Sequence, residues 1–257
     1  MSSKFRNKRR SNGRKTARTY NRREKFKNKR TRKMRGGTLD ILMRAIDLYD
    51  INGVKSILNK TNKKRILNKT NKKPVINDIE NGMTPLFKAL TKHPADEENY
   101  NTIKEIIGLL IDNNADVNKP EKGESIDGTT PLMMAIINYD YEIIKLLIVN
   151  GADVNAKNKD NDTPLTIAIK MERHVNIINL LIENGADVNA DVNAINNNET
   201  PLSLAIENKK YSSVIKLLIE KGANVDNLNE KQKIRLGEAV EEGDEEMIGI
   251  SGFLNSM

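Results

Sequence analysis

Apolar positions follow a repeated two-part pattern along most of the chain. The first part is Thr-Pro-Leu, two variable residues, Ala, and then Leu or Ile; the second is two branched residues, one variable residue, and Leu-Leu-Ile. Leu and Ala three residues apart lie on one face of a helix, and the second part provides a wider apolar stripe. The pattern therefore predicts pairs of short helices that pack through their apolar faces. The first part begins at Thr84, Thr130, Thr163 and Thr200.

Small and polar residues mark where these helices begin and end. Thr before Pro is typical of a helix start, because the hydroxyl caps free backbone amides and Pro fits the first helical position. The second helix of each pair is followed by a residue suited to the left-handed conformation, namely Asn114, Gly151, Gly185 or Gly222. Asn-Gly at 81–82 and Asp-Gly at 127–128 predict hairpin-like turns between the pairs.

The spacing of the repeated phrase is regular apart from insertions. Thr130 and Thr163 are 33 residues apart, whereas Thr84 and Thr130 are 46 apart and Thr163 and Thr200 are 37 apart. Matching the phrases assigns the extra residues to 93–102, 119–126 and the doubled Ala-Asp-Val-Asn at 186–193. We expect all of these insertions to lie in loops, where extra length is tolerated.

These phrases, in this order and at this period, resemble the ankyrin repeat. The resemblance implies an all-α solenoid of helix-turn-helix units with hairpin-like finger loops, about six repeats in residues 36–257. We place the units near 38–80, 81–126, 127–159, 160–196 and 197–229, with a degenerate cap at 230–257. Richness in Asn, Lys and Ile, together with tandem duplications, is similar to the expanded ankyrin families of giant DNA viruses and protists.

The two end units depart from the pattern, as expected for caps. The first lacks Thr-Pro, and we expect its second helix to be followed by a loop in which Ile57–Arg65 is repeated almost verbatim at Ile66–Lys73. The last is polar, with Leu236 as an apolar position and acids at 241–246 that can solvate the open end.

The four central units lack the His that usually follows Thr-Pro-Leu in the ankyrin family. Phe87, Met133, Thr166 and Ser203 stand at that position. The family uses this His for a hydrogen-bond link between the helix start and neighbouring units. We expect a less stable array than one of consensus repeats, with the same fold.

Charge divides the chain into two parts. Residues 1–35 contain 17 Lys or Arg and one acid, a net charge of +16, while the rest contains 26 bases and 34 acids, a net charge of −8. So many like charges with so few apolar residues cannot fold alone, so we expect a basic disordered N-terminal arm. Its clusters contain Lys8, Arg9, Arg10, Arg22, Arg23, Lys29, Arg30, Arg32 and Lys33.

The arm has several possible roles. It can be a solvated tail, a nuclear or nucleolar address, or a nucleic-acid ligand whose cations release counterions from phosphate while Phe5, Tyr20 and Phe26 stack on bases. Weak binding to an anionic membrane is a further possibility. The acidic body can also bind the arm within one molecule.

The residues offer no pattern typical of catalysis. The chain has no Cys, and its two histidines, His93 and His174, lie far apart; we interpret His174 as an exposed loop residue. No phosphate-binding glycine loop is present, and the acids at 241–246 lack the spacing of an EF-hand. We predict a non-enzymatic, monomeric protein without cofactor or metal. No apolar run spans a bilayer and no secretory signal begins the chain, so we expect an intracellular protein of the nucleus or cytoplasm, in a host cell if it is viral.

The resemblance implies that an unidentified protein partner binds the finger tips and the concave side of the first helices. We predict a scaffold or interaction module; the alternative is a nucleic-acid-associated or nuclear-targeted protein whose arm contacts RNA or DNA while the repeats recruit a protein. The positions that match the family's binding surface are Met83, Ile126, Asp127, Thr129, Ile137, Asn138, Asp160, Asp162, Lys170, Met171, Asn197, Glu199, Glu207 and Asn208.

Overall fold

The structure, a computed structural model, describes residues 37–68, 75–92, 94, 96–122, 128–190, 199–208 and 212–241. Within these residues the chain is helical, and the extended structure is limited to an isolated bridge between Glu80 and Met83. The basic arm, His93 and the acids at 242–246 lie outside the described residues.

The helices alternate between two positions in successive units. The first helices are α1 (37–47), α3 (Pro85–Leu90), α5 (Pro131–Ile137), α7 (Pro164–Lys170), α9 (Pro201–Glu207) and α11 (Glu230–Glu241). The second helices are α2 (Ile51–Asn68), α4 (Glu97–Asp112), α6 (Tyr141–Val149), α8 (Val175–Glu183) and α10 (Ser212–Glu220), and a 3₁₀ turn covers Val75–Asn77. Units 1 to 5 are the pairs α1–α2 to α9–α10, and unit 6 contains α11.

Contacts between equivalent helices create the solenoid. The first helices α3, α5, α7, α9 and α11 each pack against the next, and second helices pack together at α2–α4 and α8–α10. Ala89, Ala135, Ala168 and Ala205 are at most 1% exposed, and their small side chains allow neighbouring helices to approach closely. An all-α ankyrin-type solenoid is therefore confirmed.

The predicted helix starts are present in all four central units. The hydroxyls of Thr84, Thr130, Thr163 and Thr200 each accept a hydrogen bond from the backbone amide three residues later, and Pro occupies the first helical turn. The helix ends also agree with the prediction, since Asn114, Gly151, Gly185 and Gly222 have φ between +67° and +90°. At 81–82 both residues have positive φ, as a hairpin-like turn requires.

The residues at the family's His position form a different set of contacts. Phe87, Met133, Thr166 and Ser203 are all buried. The Thr166 hydroxyl accepts the Thr163 amide at 2.8 Å, and the Ser203 hydroxyl accepts the Thr200 amide at 2.9 Å, so each completes a reciprocal capping box. In unit 3 the Met133 sulfur takes this place at 3.4 Å. The lower stability expected from the missing His stays a prediction.

Two insertions form helix instead of loop, which corrects the sequence-based expectation. The extra residues within 93–102 lengthen α4 to 16 residues, whereas α6, α8 and α10 have nine each. Asp96 caps this extension by accepting the Asn99 amide at 2.8 Å, and Glu97 and Glu98 favour a helix N-terminus. Likewise α2 continues through the first copy of the duplication to Asn68. The Lys, Arg and Leu residues of this stretch favour helix, and residues 57–68 contain neither Gly nor Pro.

An asparagine ladder links the loops that follow successive second helices. The side chain of Asn118 donates to the Gly151 carbonyl at 2.8 Å and accepts the Asp153 amide at 2.7 Å. Asn77, Asn155 and Asn189 make the equivalent pair of bonds to the next loop. Each rung therefore satisfies one carbonyl and one amide across a unit boundary.

Candidate partner-binding surface

The predicted surface combines finger residues with first-helix residues, and unit 4 shows how the two meet. Asp162, at the base of a finger, lies with its Oδ1 atom 2.6 Å from the Lys170 ammonium at the end of α7. The Asp162 side chain is 13% exposed and the Lys170 side chain is 39% exposed. The pair therefore sets the finger against the first helix of its own unit.

Other predicted residues also join neighbouring units. The Asn138 side chain donates to the Leu90 carbonyl of unit 2 at 2.5 Å. The Arg173 guanidinium of unit 4 donates to the Ile137 carbonyl of unit 3 at 2.6 Å and lies 3.7 Å from the Met171 sulfur. Ile137 and Asn138 thus stand where adjacent first helices are held together.

The accessibility of the predicted residues differs along the surface. Met171 is 42% exposed, and Asp160, Lys170 and Glu207 are exposed too. Partly buried positions are Met83, Ile137, Asn138, Asp162, Glu199 and Asn208. Thr129 is only 4% exposed, so its side chain offers almost no surface to a partner, which corrects the prediction at this position. Ile126, Asp127 and Asn197 lie outside the described residues.

His174 has a structural role at the start of α8. His174 is exposed, as the sequence suggested, and its Nδ1 atom accepts the Asn176 amide at 3.2 Å at the start of α8. Across the residues that the structure describes, no group of three or more His, Asp or Glu side chains could hold a metal ion.

A pocket between units 2 and 3 was not anticipated from the sequence. Its volume is about 290 Å³, and buried side chains of α3, α4 and α5 form its floor, including Leu90, Ile103 and Ala135. Tyr100, Tyr139 and Tyr141 surround this floor, which brings together three of the six tyrosines of the chain. The sequence feature that could have indicated this pocket is the clustering of these tyrosines within residues 100–141. The lengthened α4, which supplies Tyr100, was not predicted.

The backbone at Tyr139 has an unusual conformation. Its φ is +61°, a left-handed value that is costly for a residue with a bulky side chain, and the residue is 53% exposed. One neighbour of the ring is the Arg173 guanidinium, 5.3 Å from its centroid. Tyr139 thus keeps an accessible aromatic surface at a backbone position where glycine is the usual residue.

Acidic groups lie beside the tyrosines. The Tyr100 hydroxyl donates to Asp140 at 2.9 Å, and the same carboxylate accepts the Ile143 amide at 3.1 Å as the cap of α6. Burial, the hydrogen bond to Asp140 and the nearby charges of Asp140 and Glu142 together raise the pKa of Tyr100 to about 12. The pocket edge near Tyr100 therefore disfavours additional negative charge.

A cluster of charges connects α1 with this region. Asp47, at the end of α1, lies 3.0 Å from the Lys88 ammonium and 2.5 Å from that of Lys92, which also lines the pocket. Burial alone would raise the pKa of Asp47, but the hydrogen bonds and charges of the two lysines outweigh it and lower the pKa. The carboxylate bridges units 1 and 2.

Comparison with known families agrees with this architecture. The family model described as ankyrin repeats (3 copies) matches residues 95–192, and the model described as ankyrin repeat matches residues 197–230. The chain belongs to the ankyrin-repeat family. The α1–α2 pair lies before the matched residues and has the same two-helix arrangement.

Ankyrin repeats are generally protein–protein interaction modules and are typically non-enzymatic. No curated protein matches this ankyrin chain. Among its described helices, none is both long enough and apolar enough to cross a bilayer.

Proposed function

We propose that this ankyrin array is an interaction module that binds a protein partner through its finger bases and the exposed side of its first helices. The observation that carries the proposal is the continuous packing of α3, α5, α7 and α9. We infer that their accessible residues form one row. A row of this kind suits an extended protein surface.

The chemistry of the row supports a protein ligand. Met171 offers exposed apolar surface, and Lys170 and Glu207 offer charges of opposite sign on neighbouring first helices. Protein interfaces typically combine an apolar centre with a polar rim. The Asp162–Lys170 and Arg173–Ile137 contacts hold these residues in position before a partner binds, which reduces the entropy lost on binding.

A matched pair of double variants tests this proposal. In the full chain, Met171→Glu with Glu207→Lys changes the row. Val149→Glu with Glu183→Lys is the control, because it also replaces one apolar residue by Glu and one Glu by Lys, on the second helices α6 and α8. All four positions are exposed, with Val149 at 77%, so both double variants are expected to fold. Proteins crosslinked to the chain in cells are then quantified by mass spectrometry.

We expect proteins captured by the wild type and by the second-helix variant to be lost from the first-helix variant. Equal capture of the same proteins by all three chains would exclude the first-helix row as the binding surface.

The charge of residues 1–35 favours a second candidate, in which the arm contacts RNA or DNA, or acts as a nuclear address, while the repeats recruit a protein. A net charge of +16 beside a body of −8 supports phosphate binding by the arm and not by the repeats. Replacing Lys29, Arg30, Arg32 and Lys33 by Gln in the full chain is expected to reduce the salt dependence of binding to random single-stranded RNA by about 0.7 per lost phosphate contact.

Gln at Lys55, Lys104, Lys145 and Lys216 is the control, because these lysines lie on second helices. An unchanged salt dependence in the arm variant would exclude nucleic-acid contact by this cluster. Imaging both variants in cells tests the nuclear address, since only the arm variant is expected to lose nuclear accumulation.

A further inference from the structure

The pocket between units 2 and 3 has a composition suited to a positively charged side chain. Its apolar floor can accept the methylene stem of a lysine or arginine, and tyrosine rings attract cations through their faces. Asp140 and Glu142 add carboxylates to the lining. These features combine in one cavity the groups that bind each part of a long cationic side chain.

The neighbouring cations Lys92, Lys104 and Arg173 have partners of their own, and Arg173 is not part of the pocket lining. Lys92 pairs with Asp47 at 2.5 Å, Lys104 lies 3.9 Å from Glu142, and Arg173 donates to the Ile137 carbonyl. Asp140 accepts hydrogen bonds from two neutral donors, the Tyr100 hydroxyl and the Ile143 amide. The Arg173 guanidinium over Tyr139 shows that this ring already attracts one cation.

The basic arm joins the body just before residue 37. The described part of α1 runs from residue 37 to Asp47, whose carboxylate contacts Lys92 in the pocket lining. Ten residues of helix span about 15 Å, or roughly three turns, so the point where the arm joins the body lies within about that length of the Asp47–Lys92 contact at the pocket edge. A chain of 36 residues can extend much farther than this, at about 3.3 Å per residue.

We propose that the pocket formed by Tyr100, Tyr139 and Tyr141 binds a lysine or arginine side chain from residues 1–36 of the same chain. Covalent attachment places 17 cationic side chains at a high effective concentration near the pocket, so a weak individual contact is sufficient for occupancy. Polyanions that bind the arm then compete with the pocket, and this competition couples the arm to the repeats.

Spin labelling of the full chain tests the contact. Because the chain has no Cys, Ser11→Cys and Thr31→Cys each provide a unique labelling site in separate proteins. At low ionic strength, a nitroxide at either site is expected to enhance relaxation of the NMR signals of Tyr100, Tyr139 and Tyr141. Single Tyr→Phe replacements assign these signals.

The decisive comparison uses two matched double variants. Tyr139→Asn with Glu142→Gln alters the pocket and is expected to abolish the enhancement at Tyr141. Glu172→Asn with Glu183→Gln is the control one unit further: it introduces Asn at the equivalent position of positive φ and removes two carboxylates, one more than the pocket variant, yet it is expected to preserve the enhancement. Circular dichroism checks folding, and Tyr141→Ser, read at Tyr139, replaces the pocket variant if that variant unfolds.

Three results would overturn the proposal: no enhancement at the tyrosines in the wild-type background, equal enhancement in the pocket variant, or enhancement confined to other acidic positions such as Asp153 and Asp187. A mixture of spin-labelled chains with isotope-labelled chains that lack the spin label distinguishes a contact within one molecule from a contact between two molecules. Enhancement of equal size in that mixture would assign the contact to a second molecule and also overturn it.

Discussion

Asn155, after α6, holds Asp187, after α8, by accepting its backbone amide at 2.8 Å while donating to the neighbouring Gly185 carbonyl at 2.8 Å. This rung crosses a unit boundary, where the stability of a solenoid depends on contacts between nearest neighbours. We expect Asn155→Ala to lower the free energy of unfolding by about 1–3 kcal/mol, because two bonds to backbone groups are lost.

Chemical denaturation measures this effect. Asn101→Ala, at an exposed position of α4, is the control and is expected to change stability by less than about 0.5 kcal/mol. If Asn155→Ala is as stable as this control, the ladder contributes nothing to the coupling of units.

The buried residues at the family's His position are expected to differ in how much they contribute to the free energy of unfolding. Thr166→Val removes the hydroxyl that accepts the Thr163 amide and leaves that amide buried, at a cost of about 1–3 kcal/mol. Met133→Leu removes only a long contact to sulfur at 3.4 Å, so a smaller loss is expected. Equal losses in denaturant unfolding would show that the capping box is not what stabilises these helix starts.

The bridge from Asp47 to Lys88 and Lys92 predicts a pH dependence. Since the folded-state pKa of Asp47 lies below its ordinary value of 3.8, its contribution to stability is present above about pH 4 and is lost as the pH falls through the folded-state pKa. Asp47→Asn is expected to cost up to about 1 kcal/mol at neutral pH and low salt, and almost nothing at the acid end.

Unfolding curves of the wild type and Asp47→Asn at several pH values provide the measurement. Asp226→Asn, at an exposed position after α10, serves as the control. A difference between the Asp47 variant and the wild type that persists unchanged to the lowest pH would contradict the ionic explanation.

Tyr139 and Glu172 have left-handed backbones at equivalent positions of units 3 and 4, and replacing each by glycine is expected to change stability to a different extent. Tyr139 and Glu172 have φ of +61° and +51°. Glu172→Gly is expected to raise stability by up to about 1 kcal/mol, because glycine adopts this conformation without steric cost. Tyr139→Gly is expected to gain less, since it also removes the contact with Arg173. Thermal unfolding compares the two, and a larger gain at Tyr139 would argue against a stabilising role for that contact.

The repeat pattern predicted most of the helices because its signals are local. Thr163 before Pro164 and Gly151 after α6 each act within about four residues, the range of a helix cap. The same reasoning failed at 97–102 and 59–68, which were interpreted as loops. These residues instead extend a helix whose core-facing part the repeat pattern had predicted. The left-handed backbone at Tyr139 was also missed, because nothing in a tyrosine side chain favours it.

The sequence by itself determined the family, the order of the helices, the caps and the division into a basic segment and an acidic body, since periodicity, short-range hydrogen bonding and charge can be read along one chain. Only the tertiary structure decided that Asn118 bonds to Asp153, that Asp47 bridges two lysines of the next unit, and that three tyrosines surround one pocket. These relationships join residues about 35 to 45 positions apart, and their distances depend on how neighbouring units pack, a quantity that no local pattern specifies.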